Sequence, residues 1–204
     1  MKKILFTLGL TTLLVSATQA SQEQLAASIK EARAEATRTS EQLKATLAAL
    51  NALTKQSKGD LRPAYNAFAA EVPKTEAAAT WTRVRVQWMA GDGRQYFKNW
   101  QKTVDGIANE SLRKKAQKRL DAVQANYDKM EVSMKEASDK FKPFLSDLTD
   151  VQKTLASDVT PGGVKAVKPT VSNAKWNHQF VNRAINEALK DMQKMEKALS
   201  SETQ

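Results

Sequence analysis

The side chains that could do chemistry are few, so their surroundings decide what they mean. His178 is the single histidine and the chain has no cysteine. An imidazole works as a metal ligand or proton carrier only with partners, and no Asp or Glu stands three or four residues from His178. The Glu-x-x-His pattern of di-iron helical bundles is therefore missing. Without cysteine there is no disulfide, no thiolate metal site and no lipid-attached N-terminal thiol. Met89, Met130, Met134, Met192 and Met195 carry thioethers, which are soft ligands suited to Cu(I). All five fall on apolar seams, where packing is the ordinary reason for a methionine. Asp147 and Asp150 share a helix face and read as a solvated acidic face. No activated base for a nucleophilic triad and no glycine-rich phosphate loop is present. The expectation is a chain with no catalytic residue, no metal ligand and no cofactor.

Charge is the chemistry that remains. Between Arg94 and Arg119 stand eight basic residues, Arg94, Lys98, Lys102, Arg113, Lys114, Lys115, Lys118 and Arg119, against only Asp105 and Glu110, a net charge of +6. Arg113, Lys114 and Lys115 sit at the start of a predicted helix, where positive charge opposes the helix dipole. Residues placed against local stability are candidates for function, here the binding of an anionic surface. Lys194 and Lys197 would join them at the same end of an antiparallel bundle.

The elements that must position these residues follow from apolar periodicity. From Ala116 to Leu155 the apolar positions are Ala116, Leu120, Val123, Tyr127, Met130, Met134, Ala137, Phe141, Phe144, Leu148, Val151 and Leu155, alternating steps of four and three. That heptad seam specifies one helix about 60 Å long whose stripe other helices must cover. Leu25, Ile29, Ala32, Ala36, Leu43, Leu50 and Leu53 continue the pattern in an earlier segment, with Thr39 and Thr46 between them. Tyr65, Phe68, Val72, Met89, Tyr96 and Ile107 mark a second helix, and Val164, Val171, Ala174, His178, Val181, Ile185 and Leu199 a fourth. The predicted helices span about 21–57, 61–107, 110–157 and 161–200, with Asp60, Asn109 and Thr160 as caps. Pro73, Pro143 and Pro169 predict kinks. Gly91 and Gly93 leave two outcomes open, a kinked helix or a break restarted by Asp92 and Gln95 as a capping box. Trp81, Val84 and Trp88 form a second stripe on helix two, which either packs on helix one or four or meets a partner. The fold class is all-α, an elongated antiparallel, up-and-down helical bundle or coiled coil of three to four long helices.

The first residues read as an export signal. Lys2 and Lys3 precede an apolar run from Ile4 to Val15 and a small-residue segment ending at Ala20, the expected cleavage point. Residues 21–204 then form a single domain with 30 basic and 22 acidic residues, net +8. In an exported chain this points away from nucleic acid and toward anionic lipid, acidic wall polymer or another envelope protein.

Three stretches carry a likeness. Leu112 to Tyr127 (LRKKAQKRLDAVQANY), Lys140 to Leu155 (KFKPFLSDLTDVQKTL) and Thr160 to Pro169 resemble an exported bacterial helical family known only as a domain of unknown function, over roughly Gly59 to Leu199. The resemblance implies a helical, coiled-coil fold and an exported location, and brings no activity, cofactor or catalytic residue.

The sequence therefore predicts a periplasmic or otherwise exported, non-enzymatic protein of the cell envelope, with an interaction or structural role and a basic tip. A holdase-like chaperone is the alternative, and helix packing leaves room for a homo-oligomer. Accessible apolar seams would favour the chaperone, and a closed bundle the surface-binding protein.

Overall fold

The computed structural model describes residues 5–56 and 59–200, with side chains from residue 17 onward. Lys2, Lys3 and Ile4, and the side chains of the apolar run to Val15, lie outside the described residues. The fold is all-α, with four helices: α1 (Leu5–Lys55), α2 (Arg62–Asp105), α3 (Glu110–Ser157) and α4 (Pro161–Ser200).

The helix ends are built by the residues expected to build them. Gly59 takes a left-handed φ of 82°, a conformation open to glycine without a Cβ penalty, and turns the chain after α1. The Asp60 carboxylate then accepts from the Arg62 amide at 3.0 Å. Asn109 Oδ1 accepts from the Leu112 amide at 3.0 Å, and Thr160 Oγ1 from the Gly163 amide at 3.1 Å. Each cap satisfies a first-turn donor that has no helical partner.

Pro73, Pro143 and Pro169 all lie inside unbroken helices. The second helix does not break at Gly91 to Gly93 either. Asp92 is not a cap, since its carboxylate accepts from Gln24 Nε2 of α1 at 2.7 Å. Gly93 has a packing role: a Cβ there would meet the Tyr127 ring at 2.3 Å. Tyr127 of α3 thus lies directly on the α2 backbone, its hydroxyl donating to the Met89 carbonyl at 3.3 Å.

The packing groups the chain into two compact units. The first comprises Met1–Arg33, Arg85–Val132 and Lys190–Gln204. Its α1 meets α2 through Thr18 and Thr103 (2.9 Å), and α2 meets α3 through the edge-to-face rings of Phe97 and Tyr127. Asp191 of α4 faces Lys129 of α3 at 3.8 Å, and Arg33 of α1 pairs with Glu196 of α4 at 2.9 Å. Leu25, Ile29, Met89, Tyr96, Met130 and Met195 are fully buried inside.

The second unit comprises Ala34–Val84 and Ser133–Leu189. Leu43, Leu50, Phe68, Phe144, Leu148, Val171 and Val181 join one core from all four helices. Between α1 and α2 the seam turns polar: Thr39 bonds Thr82 at 2.8 Å and Thr46 bonds Thr75 at 2.6 Å. Tyr65 of α2 donates to the Gln152 carbonyl of α3 at 3.2 Å, and Asn177 of α4 to Asp147 of α3 at 2.7 Å. Within each unit the helix segments run up and down, and α1 closes against the others. Their seams are consequently buried.

Candidate functional site

The basic residues gather at one turn of the first unit. Arg94, Lys98 and Lys102 project from the last three turns of α2, and Arg113, Lys114, Lys115, Lys118 and Arg119 from the start of α3. All eight are exposed. The connection between them is short: the Gly106 amide bonds the Lys102 carbonyl and the Ile107 amide the Val104 carbonyl, closing α2 before Asn109 caps α3. The residue types follow from position. Val104 and Leu120 turn inward and are buried, which leaves the charged positions of both helices facing water.

The dipole conflict expected at α3 is partly offset. Glu110 occupies the first turn, where negative charge is favourable, and its carboxylate pairs with Lys114 at 2.8 Å. This pair is exposed and screened, so it adds little stability and neutralises only one charge. Asp105 accepts from Gln101 at 2.8 Å and Gln117 bonds Asp121 at 2.9 Å. The two acidic residues of the stretch are thus held along their own helices, and six net positive charges remain. Lys194 and Lys197 of α4 belong to the same unit and are exposed as well. Lys194 is tied to Asp191 at 3.1 Å.

One feature of this turn is absent from the seam reading. Leu112 stands beside Arg113 with 56% of its surface exposed. The signal is in the sequence, since Leu112 is out of phase with the seam that begins at Ala116, as is the exposed Val132, and the exposed Trp176 is out of phase with the seam of α4. Trp81 and Trp88 are also more than half exposed, so the second stripe of α2 does not pack beneath another helix. The Arg85 guanidinium lies 4.8 Å above the Trp88 ring and bonds Glu31 of α1 at 2.7 Å.

The residues weighed for other chemistry lie elsewhere. His178 packs against Phe144 with ring centroids 5.7 Å apart. Its Nε2 is buried with no hydrogen-bond partner, and burial together with the Lys44 charge pushes its pKa down. All five seam methionines are buried. Asp147 is engaged by Asn177. Among the described residues no group of three or more His, Asp or Glu side chains is placed to hold a metal ion, and no helix is long and apolar enough to cross a membrane.

No curated protein matches the chain. A family model described as protein of unknown function (DUF2959) matches residues 16–199, a span that takes in most of α1 and nearly all of α2 to α4. The chain belongs to that family.

Proposed function

We propose that the mature chain is an exported, non-enzymatic protein of the cell envelope that docks on anionic surfaces through the α2–α3 turn. The observation that carries this reading is the concentration of charge: the stretch from Arg94 to Arg119 holds +6 of the mature chain's +8. Concentrated charge produces a local potential far larger than the same charge spread over the surface, and that potential attracts polyanions. Lipid head groups and acidic wall polymers share the required chemistry. The buried seams support surface docking over a holdase role, which needs apolar surface open to clients. The exposed Trp81 and Trp176 leave room for a second envelope protein or another copy of the chain.

The test is binding to anionic vesicles and to wall fragments as salt is raised. Between about 50 and 200 mM the Debye length falls below about 10 Å, so binding through exposed charges weakens steeply. Changing Arg113, Lys114, Lys115 and Lys118 to Gln should abolish binding and leave helicity intact. Changing Lys140, Lys153, Lys165 and Lys168, which are exposed in the second unit, should change it little. Equal binding by both variants would remove the site.

A further inference from the structure

The α2–α3 hairpin belongs to the first unit. Gln22 Nε2 donates to the Leu199 carbonyl at 2.7 Å, and Asn99 Nδ2 to Ser21 Oγ at 3.2 Å. Leu199, Gln22 and Asn99 are therefore level. On the other strand of the hairpin, Gln101 faces Gln117 at 2.8 Å. From the level of Asn99, α2 runs on by six residues to Asp105, about 9 Å at 1.5 Å each. Cleavage after Ala20, expected from the sequence, would also remove Thr18 from Thr103 and the Ala17 carbonyl from Asn99, uncovering the α1 side.

The end of the hairpin is amphiphilic. It carries Lys102, Arg113, Lys114 and Lys115 around the exposed Leu112 and the partly exposed Ile107. A wall polymer or any other hydrophilic polyanion would pair with the charges and leave Leu112 in water. The interfacial region of an anionic bilayer takes both, head-group phosphates around the cations and acyl chains against the leucine. Resting on the surface-docking reading above, we propose that the α2–α3 hairpin docks end-on to an anionic lipid bilayer, with Leu112 inserted below the phosphates.

Vesicle co-sedimentation of the mature chain tests this, using phosphatidylcholine vesicles with and without phosphatidylglycerol and, separately, polyphosphate as a lipid-free polyanion. The parent should bind only the anionic vesicles strongly, and Leu112→Asn should weaken that binding by roughly tenfold while leaving polyphosphate binding unchanged. Because the chain has no cysteine, Leu112→Cys can carry a single polarity-sensitive fluorophore. Its emission should shift to the blue on anionic vesicles, and the same label at Lys140→Cys should not respond. Binding of polyphosphate and wall fragments without vesicles would overturn the lipid assignment and leave surface docking standing. Equal vesicle binding by parent and Leu112→Asn, with an unshifted label, would overturn insertion. Binding to none of these probes would overturn both readings.

Discussion

Two glycines two residues apart, about half a helical turn, have opposite roles, because only one of them touches another helix. A Cβ on Gly91 would meet nothing closer than the end of the Arg94 side chain at 3.9 Å, whereas on Gly93 it would strike the Tyr127 ring. Gly91→Ala should stabilise the chain by up to about 1 kcal/mol through helix propensity. Gly93→Ala should destabilise it by about 1–3 kcal/mol despite the same gain, because overpacking outweighs it. Urea unfolding of the two variants gives the comparison directly, and equal effects would mean that Tyr127 yields freely. His178 makes a second prediction. Its half-buried ring packs against Phe144 with Nε2 out of reach of water, and its pKa is lowered, so the folded chain resists a proton that the unfolded chain accepts. Stability is therefore full above the ordinary imidazole value of about 6.5 and declines as the pH falls through it. His178→Phe should flatten that decline and cost little at neutral pH. Added zinc or copper should not raise the melting temperature of the parent, and a rise lost in His178→Gln would make the imidazole a ligand.

The α1–α2 seam shows how an element-level choice is made. Threonine stands at 39 and 46 on α1 and at 75 and 82 on α2, seven residues apart on each helix, and the structure joins them as two pairs, Thr46–Thr75 buried and Thr39–Thr82 partly so. One of the two hydroxyls of Thr46 and Thr75 donates to the other, which in turn donates to the carbonyl one turn back on its own helix, Gln42 for Thr46 or Glu71 for Thr75, so each hydroxyl is bonded. Such pairs specify register, because a shift of one turn leaves hydroxyls buried against apolar neighbours. Changing Thr46 or Thr75 alone to Val should cost about 0.5–1.5 kcal/mol. The double Val variant should cost less than the two singles together, or nothing, and a double-mutant cycle measures the coupling. Strict additivity would mean that each hydroxyl serves only its own helix.

For the whole molecule the decisive quantities are charge and processing. Cleavage after Ala20, where the expected export signal ends, would take two lysines with it and lower the net charge from +10 to +8, of which +6 falls between Arg94 and Arg119. Intact-mass measurement of the chain recovered from outside the cytoplasm should place its N-terminus at Ser21. An N-terminus at Met1 would instead retain the α1 residues that touch Asn99 and Thr103. Circular dichroism of that product should remain predominantly helical, with and without the four Gln substitutions at the α2–α3 turn.

The sequence by itself determined the helices, their caps and the inward face. Leu25 to Leu53, Leu120 to Leu155 and Val164 to Leu199 are buried at nearly every seam position, because the heptad period leaves only one stripe that other helices can cover. The basic cluster was equally legible, since charge and spacing are local properties. Other features depended on neighbours far along the chain. Gly93 is open to a kink or a break, and Asp92 to a capping role, until Tyr127 and Gln24 reach them. The stripe of Trp81 and Trp88 is open to packing on another helix or to a partner until the two rings prove exposed. The level at which Asn99 of α2 meets Ser21 of α1 is another such feature. That level is set by the register between helices, a product of packing that no single helix encodes.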